Sequence, residues 1–191
     1  MSQADKWDQR FRGTRQPDAP ALVLESNLHL LPAGGLALDL ACGIASNGLL
    51  LAERGLQTSL WDISSVALEL QRQWARQRQL EITTLQRDCA RDPPTSEQFD
   101  VICVAHFLHR PLCPIVYTAL KPGGLLFYQT FCNDKIDPAG PSSPEFLLQP
   151  GELPELFRQL RVRFYREDGR CGDLQLGERN RALLVAQKPV G

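Results

Sequence analysis

The chain has 191 residues, is 43% hydrophobic and carries a formal net charge of −1. That length suits one ordinary domain, 1–191, with a sizeable core, and the near-neutral balance offers no basic field for a phosphate backbone, so nucleic acid is not expected as a partner. The six cysteines, at 42, 89, 103, 113, 132 and 171, form no C-x-x-C pair and have no paired histidines, which predicts no metal and a reduced, cytoplasmic setting. Met1 to Arg10 is polar, with no apolar signal region, and no apolar run reaches the roughly 18 residues of a membrane span.

In chain order, Lys6 to Gly13 places Trp7 and Phe11 four apart, on one face of a short helix. That helix either packs two aromatics on the surface or closes as a lid; residues 1–31 are the expected lid region and 36–188 the core. Pro20 to Leu31 reads as a second helix, with Leu22, Leu24, Leu28 and Leu31 near helical spacing. Leu36 to Leu40 is a short apolar run that carries one acid, Asp39, and breaks into the small residues Ala41, Cys42, Gly43, Ala45, Ser46 and Gly48. This is a buried strand running into a tight turn and a helix, a cradle whose small residues let backbone N–H groups approach a ligand. A pyrophosphate cradle wants G-x-G-x-x-G, of which only Gly43 is present. A carboxylate inside the strand suits instead a ligand that carries an ammonium and a sulfonium.

Leu56 to Trp61 is the second strand, closing on Asp62 about 20 residues after Gly43, the separation at which a strand-helix-strand unit returns an acid to ribose hydroxyls. The competing role for Asp62 is an N-cap on the next helix, which Ser64 or Ser65 also offers. Ser65 to Gln79 is that helix, with Val66, Leu70 and Trp74 on the expected buried stripe and Arg72, Arg76 and Arg78 on a solvated face. Glu81 to Leu85 is a third strand, followed by Asp88, an acid that also fits a turn before Pro93-Pro94. Phe99 to Val104 is a near-continuous apolar strand, as in the centre of a parallel sheet. Lys121-Pro122-Gly123-Gly124 reads as a turn into a fifth strand, Cys132 to Gln149 as a loop, Leu153 to Leu160 as a helix, and 161–166 with 180–187 as a closing antiparallel pair.

Asp39 to Gly43 resembles motif I of the class I S-adenosylmethionine-dependent methyltransferases, usually D-L-G-C-G-x-G, with Ala41 and Ala45 in place of the outer glycines. Asp62, Asp88, Phe99-Asp100 and the K-P-G-G turn follow in the family's order. Within that superfamily, W-D-x-R-F at the start, L-A-E-R-G and F-L-L-Q-P-G-E-L look most like the tellurite-resistance and thiopurine-type enzymes of small soft nucleophiles. The resemblance implies a Rossmann-like α/β fold with a seven-stranded mixed sheet, six strands parallel and one antiparallel, and helices on both faces. It implies S-adenosyl-L-methionine as cofactor, held by Asp39, Ala41, Gly43, Asp62, Ile63, Asp88, Cys89 and Ala105. His106 and His109, on the turn after the fourth strand, are the residues for orienting or deprotonating an acceptor, and Trp7, Phe11, Tyr128 and Cys132 would line its pocket. The expected partner is a small molecule, a thiol or chalcogen oxyanion, and the chain a monomer or homodimer. Two rivals stand beside this reading: an NAD(P)-dependent oxidoreductase, and a protein that binds S-adenosylmethionine without turnover.

Overall fold

A computed structural model describes residues 2–190. Seven strands form one sheet: β1 (Leu36–Leu40), β2 (Gln57–Asp62), β3 (Ile82–Gln86), β4 (Phe99–Ala105), β5 (Leu120–Phe131), β6 (Arg161–Arg166) and β7 (Arg181–Gln187), in the order β3-β2-β1-β4-β5-β7-β6. β1 pairs in parallel with β2 and β4, and so do β2 with β3 and β4 with β5. Only β7 runs against its neighbours, antiparallel to both β5 and β6. The expected architecture of six parallel strands and one reversed strand is the one observed. Each β-α-β return brings the carboxyl ends of β1, β2 and β4 to one edge, where open α/β sheets bind ligands.

Side chains alternate across the strands, and the two sheet faces gather different partners. Leu38, Leu40, Ile102, Val104, Leu126 and Leu184 pack with α5 (Cys113–Ala119) and α6 (Glu152–Leu156). Ala37, Val101, Cys103, Phe127, Leu183 and Val185 face α2 (Leu22–Glu25) and α3 (Asn47–Glu53). Asp39 shares the parity of Ala37, so the alternation that makes β1 a strand also sends this acid beneath α3. Gly48 sits where α3 meets β2 so closely that an added Cβ would lie 2.6 Å from Leu60 Cγ.

Three helices differ from expectation. Pro20 to Leu31 is not continuous: α2 stops at Glu25, and a 3₁₀ turn covers Leu28–Leu30. Asn27 Nδ2 donates to the Val23 carbonyl at 2.9 Å, a local side-chain bond of the kind that competes with helix propagation. The helix after Gly151 is only α6, because Phe157 leaves helical geometry at φ −117°, ψ 28° and a turn carries the chain to Leu160. In α4 (Ser65–Gln77) the buried positions are Ala67, Leu68, Gln71, Trp74 and Ala75, one position round from the stripe centred on Val66 and Leu70. A polar residue at an apolar spacing, Gln71, hid that face.

Lys121 to Gly124 is no free turn but the start of β5, with a register shift against β4 between Phe99 and Val101. Gly124 is needed there, since a Cβ would lie 2.9 Å from the Lys121 carbonyl oxygen. Asp100 Oδ2 accepts from the Leu36 N–H at 2.7 Å and from Lys121 Nζ at 2.8 Å. This ties the amino ends of β1, β4 and β5. A groove of about 260 Å³ opens at that edge, lined in part by Leu30, Asp100, Pro122 and Gln187, away from the carboxyl ends. No helix among the described residues is long and apolar enough to cross a membrane.

Candidate functional site

β1 ends at Leu40, and the chain turns through Ala41 and Gly43, both left-handed at φ 55° and 50°. Ala41 takes the conformation that glycine favours, at a cost on the order of 1 kcal/mol, while Ala45 is not among the residues of positive φ. The alanine substitutions in the motif therefore strain one position only. Gln71, from α4, holds the turn by donating Nε2 to the carbonyls of Gly43 at 3.1 Å and Ala45 at 2.8 Å. From the other side Asp18 accepts from Ser46 N and Oγ, and its own N–H donates to the Ile44 carbonyl.

Asp39 is fully buried at the root of this cradle. Its Oδ2 accepts from the Gly48 N–H at 2.9 Å, one of the free donors at the start of α3. Its Oδ1 is buried with no hydrogen-bond partner among the described residues, as is Asn47 Nδ2. Burial pushes the carboxyl up to about 8; the Gly48 N–H pulls the other way, as does the Asn47 side chain that stands beside it without a hydrogen bond of normal geometry, and the Asp62 charge adds to the rise.

Asp62 lies at the carboxyl end of β2 and is buried. It accepts from Gly43 N–H at 2.8 Å and from Ser64 N–H at 2.8 Å, so it clamps the cradle to the start of α4. Burial raises its pKa, opposed by those N–H donors. The N-cap of α4 is Ser64, whose Oγ accepts from the Ala67 N–H; the N-cap alternative for Asp62 is thereby corrected. Ile63 follows, with its carbonyl accepting from Gln86 Nε2.

Asp88 caps a turn: its Oδ1 accepts from the Ala90 N–H at 3.1 Å, and its carbonyl accepts from Arg91 and Asp92. Cys89 is buried, and burial raises its thiol to about 11 while the Ala41 backbone N–H, directed at it, lowers it. Cys89 thus borders the cradle directly.

α1 (Gln3–Phe11) lies over this edge. Phe11 is buried, and its Cζ is 3.5 Å from where a Gly43 Cβ would stand. Trp7 stacks on Phe11 with centroids 5.5 Å apart and stays partly exposed. Asp8 fastens the helix: it accepts from Ser64 Oγ at 2.6 Å, Ser65 Oγ at 3.1 Å and the Val66 N–H at 3.1 Å. The Ser64 hydroxyl is the main cause that holds the Asp8 carboxyl below its usual range. Removing a carboxylate at a helix N-terminus costs roughly 0.5–2 kcal/mol. Asp8→Ala is therefore expected to speed amide exchange over residues 3–11 with the sheet amides unchanged. Because the folded pKa is depressed, this contribution holds above about pH 4 and fades as pH falls through the folded value; the exchange difference should vanish with it.

The two histidines go to different surroundings. His106, left-handed at φ 56°, has Nε2 3.2 Å from Gln129 Nε2 and 3.1 Å from Arg181 Nη1. The Gln129 amide is oriented by its Oε1, which accepts from the Val23 N–H at 3.0 Å. Two donors therefore meet His106 Nε2, which must be an acceptor, and the ring proton sits on Nδ1. Burial and the Arg181 charge lower the His106 pKa. Arg181 itself is held by Glu178. His109 instead borders a closed apolar seam with Leu40, Val104, Leu112, Cys113, Val116 and Tyr128. Tyr128 is buried, with its hydroxyl donating to the Phe107 carbonyl at 2.8 Å. Cys132 is buried too, so neither of these two faces an open pocket here. Ala105 is half-buried at the end of β4, between the two arrangements.

Residues missed by sequence reasoning are Gln71, Asp8, Asp18, Asn47 and Arg181. Gln71 had a signal as a polar residue at a core spacing, and Asp8 as the acid of the W-D-x-R-F opening; the others act through contacts distant in sequence.

Residues 37–124 match the family model described as a methyltransferase domain. No curated protein matches the chain. Among solved structures, TehB from Haemophilus influenzae superposes with TM-score 0.70 at 19% identity, over 87% of this chain, which spans 61% of the TehB chain. An S-adenosylmethionine-dependent methyltransferase from Mesorhizobium loti superposes with TM-score 0.67 at 20% identity, over 88% of this chain and 98% of that one. The [4+2]-cyclase SpnF has the same fold, with TM-score 0.69 at 20% identity over 89% and 79% of the two chains. These likenesses, at 20% identity or below, establish the fold alone. The chain carries the Rossmann-like fold that these solved structures share, and its residues 37–124 are similar to the methyltransferase-domain model.

Proposed function

We propose that the protein transfers the methyl group of S-adenosyl-L-methionine to a small, soft nucleophile, a thiol or a chalcogen oxyanion, by in-line displacement. The observation that carries the cofactor's placement is Asp39: a buried carboxylate with one unpartnered oxygen at the root of a backbone cradle is a site for a cation. Asp62 keeps further acceptor lone pairs beyond its two backbone bonds, which suits the vicinal hydroxyls of a ribose. Gly43, Ile63, Asp88, Cys89 and Ala105 border the same edge and would contribute backbone groups and the acid for the adenine. Phe11 and Trp7 would cover the bound molecule, with Asp8 as the latch. When bound, the cofactor supplies a sulfonium methyl, a soft electrophile whose leaving group is a neutral thioether.

Little acid catalysis is then needed, and orientation supplies roughly 7–11 kcal/mol of the barrier where reacting atoms are held near attack distance. His106 is a positioning donor in this reading rather than a base, since its Nε2 lone pair already accepts from Gln129 and Arg181. The rate is expected to show no rising limb between pH 6.5 and 8 that depends on His106. A limb that His106→Gln abolishes would lie below the ordinary 6.5 of histidine, because the folded pKa is lowered. By the same sign, the stability His106 contributes holds above about 6.5 and is lost as pH falls below it.

The near-neutral surface and the absence of a basic groove in the sequence favour a small acceptor over a polymer. The test is S-adenosylhomocysteine release over a panel of thiols, selenite, tellurite, hydroxyl compounds, peptides and RNA. Turnover on thiols or chalcogen oxyanions is expected; turnover confined to the others would overturn the acceptor class, and binding of the cofactor with no turnover on any would favour a non-catalytic role.

A further inference from the structure

Away from the cradle, three groups of metal-ligating type converge where the sheet meets the long loop. Cys132 follows β5, Asp134 is two residues on, and Glu167 follows β6; one ligand atom of each lies within 4.8 Å of the others. β5 and β6 both pair antiparallel with β7 and so run the same way, which brings their ends together. We propose that Cys132, Asp134 and Glu167 form a binding site for a divalent ion of the zinc class.

Asp134 is half-buried, and its Oδ1 atom is inaccessible and has no hydrogen-bond partner among the described residues. That oxygen keeps its lone pairs free for a cation. The basic side chains of these segments are committed elsewhere: Lys135 Nζ to the carbonyls of Ala139 and Pro141, Arg166 to Asp168, and Arg179 to the carbonyls of Asp168, Gly169, Cys171 and Asp173 among others. Room is kept by Gly169, at φ 49°, where an added Cβ would lie 2.5 Å from Asp134 Oδ2. The donors are also oriented. Glu167 accepts from the Tyr165 hydroxyl and from the Gly151 N–H, the outer-shell support that ligating carboxylates use. The Cys132 N–H donates to the Asn180 carbonyl at 2.9 Å.

A thiolate with two carboxylates selects a borderline-soft ion such as Zn²⁺ or Co²⁺ over Mg²⁺ or Ca²⁺, which take oxygen alone. Tetrahedral zinc would draw the three donors to about 3.3–3.8 Å from one another, closer than the 4.8 Å within which they stand. Zinc and cobalt take cysteine as the thiolate. Binding forms the metal–sulfur bond and releases the thiol proton to solvent. The expectation of no metal, drawn from missing C-x-x-C and histidine spacings, looked for ligands close in sequence, whereas Glu167 comes from another strand.

The test uses the full chain, stripped with chelator and titrated with CoCl₂ and then ZnCl₂. Co²⁺ should add a thiolate-to-metal absorption band that saturates stoichiometrically, is displaced by Zn²⁺, and is lost in Cys132→Ser. Cys171→Ser, at the exposed cysteine, should leave the band in place. Asp134→Asn and Glu167→Gln should each weaken Co²⁺ binding by about 10–100-fold. Absence of the band in the wild-type chain, its survival in Cys132→Ser, or its loss in Cys171→Ser would overturn the site. Should Cys132→Ser fail to fold, Glu167→Gln decides alone: a tenfold or greater loss supports the site, and unchanged affinity overturns it.

Discussion

Asp39→Asn is expected to weaken S-adenosylmethionine binding by about 10–150-fold, the equivalent of the 1.5–3 kcal/mol of a charge-assisted hydrogen bond. The same substitution should flatten the pH dependence of stability. In the folded wild-type chain burial pushes the Asp39 carboxyl up to about 8, against about 3.9 when unfolded. A raised folded pKa contributes stability that is fully present below about pH 4 and is lost as pH rises through 8. Wild-type unfolding free energy should therefore fall on the order of 1 kcal/mol per pH unit across that window, with Asp62, whose pKa is also raised by burial, adding in the same direction. Cofactor affinity should run the opposite way and rise with pH, because a bound cation favours the ionised carboxylate. Denaturant unfolding and calorimetric titration from pH 5 to 8.5 check both. An Asn variant with wild-type affinity, or with the wild-type pH slope intact, would remove Asp39 from the site.

Asp62→Ala should be the more disruptive change, since the side chain is structural before it is anything else. Its loss leaves the N–H groups of Gly43 and Ser64 without their acceptor, at roughly 1–3 kcal/mol for each buried group left unpaired. A total of about 2–4 kcal/mol in apo stability is expected from urea unfolding, after allowance for water reaching the opened site. Cofactor affinity should fall by a further factor of about 10–150. Unchanged apo stability would mean that the two backbone bonds are dispensable; a stability loss with wild-type affinity would confine Asp62 to the clamp.

The central sheet was legible because β1, β2 and β4 are short, largely buried runs that each carry an acid, and because the order of motifs carries the β-α-β returns. β1, β2 and β4 fall within a residue or two of their expected bounds. Helix ends were not, because they depend on single side chains such as Asn27, whose amide competes for a backbone carbonyl. In the site, the acids were visible by position, but their partners were not. Asp62 sits where a ribose ligand would be expected, yet its present bonds run to Gly43 and Ser64. The pairing of His106 with Arg181 joins the residue just after β4 to β7, beside Gln129 on β5, and no local pattern announces it. It also turns a residue that reads as a base into one whose lone pair is already engaged.

In the function proposed above, the cradle from Asp39 to Gly48 holds S-adenosylmethionine. Isothermal titration of the intact chain with S-adenosylmethionine, S-adenosylhomocysteine and NADH tests it most directly. Saturable binding of the two adenosyl-sulfur compounds, weakened by Asp39→Asn and by Asp62→Ala and absent for NADH, is the predicted result. Binding of NADH in their place, or S-adenosylmethionine affinity that both substitutions leave intact, would contradict it.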